Sequence, residues 1–196
     1  MLVAQVLQPL LASRRPGRIL VLEHKEARSV VVQPVSPAQI IRLGANGVAT
    51  ESGIRCRIDA LPFDQAVFDL VVLVHLLRDG HEAVLAETLR VLTPGGDVLL
   101  SGLNSTGLRY RFGNRKSRFP GLRLNTVSHF LKTQSFDIKQ CLLMGLAGSS
   151  RPAPKPIWHG IRIPFADHAV LHGCHWPVIK NANFSRKRSP QVQYAG

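Results

Sequence analysis

The residues Phe68-Asp69-Leu70-Val71-Val72-Leu73-Val74 form an apolar run broken by a single carboxylate, and this run constrains the fold more than any other part of the chain. It has the length of one strand but no in-out alternation. Such a strand is apolar on both faces, as happens when helices cover a parallel sheet from both sides. After a short polar gap, His81 to Leu92 carries Leu85, Leu89 and Leu92 on one helical face and Glu82, Glu87 and Arg90 on polar positions. Thr93-Pro94-Gly95-Gly96 then stops the helix, because proline lacks the N–H and glycine tolerates positive φ. Asp97 to Gly102 is the next apolar run. Strand, helix, turn and strand make one right-handed βαβ unit, and the fold class is therefore α/β, doubly wound around a mostly parallel sheet.

Elsewhere the pattern is weaker. Arg18 to Leu22 and Val30 to Val32 read as two strands, with only Glu23 to Ser29 between them. A parallel crossover needs about ten residues or more. Either the two runs form a hairpin, or the first crossover helix lies at Ser36 to Leu43, with Ser36 as N-cap, Pro37 at the first helical position and Gly44 as stop. A short strand is expected near Ile54 to Ile58, a helix over Asn125 to Gln134 capped by Asn125, and a strand over Phe136 to Leu143. A last antiparallel strand falls at Ala169 to Leu171 or at Val178-Ile179. The alternating prolines of Arg151 to Pro156 exclude regular structure other than polyproline. The expected organisation is an N-terminal segment over 1–17, one domain over 18–184, and a basic tail over 185–196.

With 196 residues, 45% of them hydrophobic, the chain is long enough for one well-formed core. No run approaches the roughly 18 to 20 apolar residues that cross a bilayer. In Met1 to Leu11 the positive charge follows the apolar part, the reverse of a secretory signal. The expectation is a cytoplasmic protein with no membrane span. Three widely separated cysteines, Cys56, Cys141 and Cys174, do not form a disulfide framework. His172-Gly173-Cys174-His175, with His168 nearby, lacks the paired spacings of a structural zinc site, so no metal is expected. The formal net charge of +13 creates a field that attracts nucleic acid, anionic lipid or an acidic partner.

Leu61-Pro62-Phe63, Phe68-Asp69-Leu70-Val71-Val72, Glu87 to Gly96 and Leu99 to Asn104 occur in that order. At this spacing they resemble the type 11 group of class I S-adenosylmethionine-dependent methyltransferases, which includes ubiquinone-biosynthesis methylases. The resemblance is strong over Ala60 to Asn104 and loose beyond. It implies a Rossmann-like sheet with S-adenosyl-L-methionine held across the carboxyl ends of the central strands. It places Asp59, Ala60 and Leu61 beside the adenine, Glu23 and His24 in the loop after strand one, and Gln33 after strand two, where the group has a carboxylate for the ribose. His75 stands near the methionine portion, and His75 and Asn104 are the acceptor-side candidates. Asp69 is expected to order the start of its strand.

The chain departs from the group at Leu22 to Arg28, where a Gly-x-Gly stretch is expected and no glycine occurs. A Cβ there obstructs close approach of a cofactor. Two functions stay open at this point. One is methyl transfer to an unidentified small-molecule or macromolecular acceptor, with cofactor binding weakened or lost. The other is a catalytically inactive protein that keeps the fold and binds RNA or an acidic protein. For the second, the cations Arg109, Arg111, Arg115, Lys116 and Arg118, interleaved with Tyr110, Phe112 and Phe119, have the composition of a phosphate-contacting segment, and equally of a solvated lid.

Overall fold

The computed structural model describes residues 2–24, 32–34, 36–44, 56–77, 82–107, 110, 119–145 and 166–175. In chain order the elements are helix α1 (Leu2–Arg14), strands β1 (Arg18–Glu23), β2 (Gln39–Gly44) and β3 (Phe68–Val74), helix α2 (Glu82–Val91), strands β4 (Leu92–Asn104) and β5 (Gly121–Leu122), helix α3 (Leu124–Thr133), and strands β6 (Phe136–Gly145) and β7 (Ala166–His175). The sheet runs β2-β1-β3-β4-β7-β6, with β5 paired to the end of β4. β2, β1, β3 and β4 run parallel to one another, whereas β7 lies antiparallel between β4 and β6.

The run at Phe68–Val74 is the central strand that its apolar character requires. Val71 and Leu73 face one core, with Leu20, Leu22, Val98 and Leu100, under Leu85 of α2 and Val127 and Leu131 of α3. Leu70, Val72 and Val74 face the other core, with Ile19, Val21 and Leu99, under α1. Helix α1 buries Val3, Val6, Leu7, Leu10 and Leu11. Their spacing of three and four residues is the stripe of an amphipathic helix.

Four expectations are corrected. The helix expected at Ser36 to Leu43 is strand β2, parallel to β1 from Arg18↔Gln39 to Glu23↔Gly44. The β-branched pair Ile40 and Ile41 points to opposite faces there, and Gln39 N–H donates to Gly17 O at 2.8 Å, drawing the segment into the ladder. Of the run read as strand two, Val32 is described: it is buried against the α1-side core outside any strand. Helix α3 begins at Leu124, and Arg123, not Asn125, holds its N-cap position without a side-chain cap. Finally, Pro94-Gly95-Gly96 is absorbed as an irregularity of β4: Gly95 takes φ of 82°, and the register against β3 shifts between Phe68 and Leu70. A Cβ on Gly96 would stand 3.0 Å from the Asp69 carbonyl oxygen, so only glycine fits. Near Ile54 to Ile58, the described part shows an isolated bridge between Arg57 and Ala60. Val178-Ile179, Arg151 to Pro156 and the tail lie outside the described residues.

At the amino edge of the parallel strands, buried charge is well matched. Asp69 Oδ2 accepts from Gly17 N–H at 2.9 Å and Arg18 N–H at 3.1 Å, so it fixes the start of the neighbouring strand β1 and not that of its own strand β3. Asp97 is buried; its Oδ1 lies 2.8 Å from His172 Nε2 and its Oδ2 3.2 Å from Arg14 Nε. Arg14 also donates to Cys174 Sγ at 3.2 Å, tying the end of α1 to β4 and β7. His172 and Cys174, two apart on β7, share the face that α1 covers.

Candidate active site

Parallel pairing brings the ends of β1, β3 and β4 to one edge, and antiparallel β7 brings its beginning to the same place, with His168 opposite Leu103. The ladder continues one residue past the strands: His24 N–H donates to Val74 O at 3.0 Å, and His75 N–H to Ser101 O at 2.8 Å. His75 then turns with φ of 54°, a left-handed conformation that few non-glycine residues adopt. Three imidazoles and one phenyl meet there. The Phe119 ring stacks on His75 with centroids 4.5 Å apart and planes 30° apart, and meets His24 edge-on at 5.5 Å; His168 meets His75 edge-on at 5.8 Å.

Burial, with His168 and His24 close by, pushes the His75 imidazole down to about 4. It is neutral at pH 7. Its Nδ1 is buried and has no hydrogen-bond partner among the described residues. A buried nitrogen left this way costs about 1–3 kcal/mol, and native structures keep few of them outside functional sites.

The other candidates are spread along the same edge or away from it. Glu23, the last residue of β1, is buried and accepts from Arg42 NH1 at 2.9 Å across to β2. Asn104, buried at the end of β4, accepts from Thr106 N–H at 3.1 Å and Thr106 Oγ1 at 2.8 Å, so it shapes the turn that leaves the strand. Asp59 accepts from Arg57 Nε and NH2 at 2.9 and 2.7 Å, and this pairing holds its carboxyl below the usual range. Ala60 is exposed beside it, and Leu61 is buried. Gln33 is exposed in the connection that precedes β2 and does not stand at the end of a second strand, because that strand is Gln39–Gly44. Arg109, Arg111, Arg115, Lys116 and Arg118 lie outside the described residues.

Sequence reasoning missed two features. Phe119 reads as part of a basic loop, and nothing local in the chain marks it as a partner of His75. Glu87 and Arg90 read, from spacing alone, as the polar side of α2. They hold the Leu61-Pro62-Phe63 segment: Leu61 N–H donates to Glu87 Oε1 at 2.7 Å, Arg90 donates to the Leu61 and Phe63 carbonyls at 3.2 and 2.8 Å, and Arg90 pairs with Glu87 at 2.7 Å. The spacing of those two words along the chain is therefore set by a physical clamp. The residue types weighed for a metal have other contacts: His172 and Cys174 as above, and His175 stacked on Phe136 with centroids 4.9 Å apart.

A mostly parallel sheet with one antiparallel strand inside it, helices on both faces and polar groups gathered at the carboxyl edge defines a Rossmann-like α/β fold. Residues 17–100 match the family model described as a methyltransferase domain. No curated protein matches the sequence. The chain is similar in structure to YcgJ protein from Bacillus subtilis, at TM-score 0.53 and 14% identity, covering 88% of this chain and 98% of that one. It is also similar to a S-adenosylmethionine-dependent methyltransferase from Archaeoglobus fulgidus, at TM-score 0.52 and 14% identity, covering 88% and 94%. A third is the 1,6-didemethyltoxoflavin-N1-methyltransferase of Burkholderia thailandensis, solved with its substrate and S-adenosylhomocysteine, at TM-score 0.52 and 14% identity, covering 89% and 76%. At such identities the likeness is one of fold. Among the described residues no helix is long and apolar enough to cross a membrane.

Proposed function

We propose that this chain transfers a methyl group from S-adenosylmethionine to an acceptor bound at the carboxyl edge of the sheet, with His75 as the residue that meets the acceptor. The observation that carries the proposal is the neutral His75 imidazole at the end of β3, with a buried Nδ1 that finds no partner among the described residues. The residues along the edge suit the cofactor. Glu23 offers a buried carboxylate at the end of β1, with His24 following it. Asp59 uses each oxygen once on Arg57, and a carboxylate has lone pairs to spare for an amine, with Ala60 and Leu61 alongside. When bound, the cofactor supplies a methyl group activated by its sulfonium.

The protein's task is then alignment, since direct displacement needs no covalent nucleophile from the chain. A base with a pKa of about 4 does not deprotonate an ordinary O–H or N–H beforehand. His75 instead accepts a hydrogen bond and aims the acceptor atom. Asn104 holds the turn after β4 and so shapes the wall of the site. Gln33 lies exposed in the connection before β2, and the proposal gives it no part in this arrangement.

The absence of glycine in Leu22 to Arg28, and the Arg42 guanidinium already on Glu23, favour weak cofactor binding. Titration calorimetry with S-adenosylhomocysteine is expected to give a dissociation constant of tens of micromolar or weaker, about −6 kcal/mol or less favourable. No heat at roughly millimolar ligand, where binding is worth only about −4 kcal/mol, overturns methyl transfer.

The net charge of +13 favours a second reading, in which the basic segment binds an anionic partner such as RNA. Changing Arg115, Lys116 and Arg118 together to Ala is expected to lower the slope of log affinity against log salt by about 2 to 3. An unchanged slope removes these residues from the interface.

A further inference from the structure

We propose that Phe119 holds the ligand crevice of this fold shut: its phenyl stands at the switch point between β1 and β3, and a cofactor enters only by expelling it. The identity of that cofactor rests on the methyl-transfer reading, whereas the place of the ring does not.

Topology locates the crevice. From β1 the chain passes to β2 on one side, and from β3 to β4 on the other, so the strand order reverses between β1 and β3. In sheets of this kind a ligand sits outside the carboxyl ends of the strands at that reversal. His24 and His75 are the first residues beyond the two strands, and the bond from His24 N–H to Val74 O at 3.0 Å sets them side by side. The Phe119 ring touches both, with its centroid 5.5 Å from that of His24 and 4.5 Å from that of His75. One ring in contact with both flanks stands at the mouth of the crevice.

The segment that carries the ring is anchored. Phe119 lies just ahead of β5, whose Gly121 and Leu122 pair with Leu103 and Asn104. Ser105 donates to Leu122 O from its N–H and from its Oγ, each at 3.2 Å, and Leu122 is buried in the α2-side core. A Cβ on Gly121 would stand 2.7 Å from Tyr110 Cζ and 2.9 Å from Ser105 Cβ, so Tyr110 also bears on this anchor. Phe119 itself is half-buried and belongs to neither core. Its departure from the crevice therefore costs its ring contacts and not the packing beneath the sheet. Aromatic pairs attract strongly enough to keep the closed form ahead by about tenfold. An open form populated to about one tenth raises the apparent dissociation constant by the same factor.

The test uses the full chain with isotope-labelled histidine, titrated with S-adenosylhomocysteine and with NADH, a dinucleotide of the kind that Rossmann-like crevices take. In the free protein the stacked phenyl is expected to move the His75 ring-proton resonances upfield of their positions in Phe119→Ala, and no difference overturns the proposal. Phe119→Ala is expected to bind S-adenosylhomocysteine about tenfold more tightly than the parent, and the bound parent is expected to lose the upfield shift. Equal or weaker binding by the variant overturns the proposal, as does a bound parent that keeps the shift. Where Phe119→Ala does not fold, Phe119→Leu decides, since it keeps apolar bulk and loses the flat ring: binding about threefold tighter is expected, and unchanged affinity overturns. NADH keeps the two proposals apart. If S-adenosylhomocysteine binds neither protein while the variant binds NADH about tenfold more tightly than the parent, methyl transfer falls and the closed crevice stands. If S-adenosylhomocysteine binds both proteins equally, the closed crevice falls and methyl transfer stands. Binding of neither probe to Phe119→Ala overturns both.

Discussion

The two edges of the sheet differ in how completely their polar groups are paired. At the amino edge, Asp97 meets both His172 and Arg14, and Asp69 meets two backbone N–H groups. At the carboxyl edge, His75 sits in a left-handed conformation with a buried nitrogen left over. Both edges are built from the same strands, so the difference is not one of fold. Completed pairing fixes one arrangement and adds stability, whereas strain and an open hydrogen-bond site persist only where the surrounding structure holds them and a ligand makes use of them. The amino edge is the anchor of the domain, and the carboxyl edge holds the site proposed above.

The sharpest way to break this contrast is to remove the centre of the anchor. Asp97→Ala leaves His172 without its acceptor in a buried place and frees the end of α1. Breaking a buried pair from one side costs about 3–5 kcal/mol; Arg14 is half exposed and recovers its hydration, so about 3 kcal/mol is expected here. Urea unfolding at neutral pH checks it, and a loss below about 1 kcal/mol would show that the amino edge is not an anchor.

A smaller effect is expected from the clamp between α2 and the segment that carries Leu61. Glu87→Ala removes the acceptor of the Leu61 N–H and the partner of Arg90. The stability cost is about 1–2 kcal/mol, since water reaches part of this network. The more telling readout is cofactor affinity. If Asp59 to Leu61 line the adenine, loosening them weakens S-adenosylhomocysteine binding by more than the same loss of stability does when introduced at Asp97. Equal affinities in the two variants would place the adenine elsewhere.

How far these regions are legible in the chain follows from the range of their contacts. The β3-α2-β4 unit is plain because each element carries its own period, and Asp69 stands out because it interrupts an apolar run, although the strand whose start it fixes is the neighbouring β1. Strand β2 is not, since Pro37 and a short run with two isoleucines fit a helix start and an edge strand equally well, and six residues are too few to tell the periods apart. The misassigned strand carried Gln33 into the site with it. Helix α1 is legible in the spacing of Val3, Val6, Leu7, Leu10 and Leu11, but tested only against a secretory signal, which its charge order excludes, the run yields no more than an N-terminal segment. His75 was found because it follows the central strand. Phe119 and His168 were not placed beside it, because those contacts join segments far apart in sequence and depend on β7 running antiparallel to β4. The double role of Asp97 was hidden for the same reason.

The smallest expected effect concerns His75 itself and sharpens the contrast through pH. Its folded pKa of about 4 lies below the ordinary value of 6.5, so the folded state resists the proton that the unfolded chain accepts. The sign follows from linkage: the contribution of His75 to stability is fully present above about pH 6.5 and is lost as pH falls from there toward 4. His75→Asn removes the titration while keeping a residue type that tolerates positive φ. At pH 7.5 the variant is expected within about 1 kcal/mol of the parent, since the change relieves one unpartnered nitrogen and introduces a smaller polar group. Between pH 6.5 and 4.5 the stability of the parent should fall relative to the variant, so the difference between the two, measured by urea unfolding at each pH, drifts in favour of Asn. Taking the difference cancels the carboxylates that titrate in both proteins. A difference that stays flat across this window shows that His75 is not held neutral by burial, and the contrast between the two edges loses its electrostatic half.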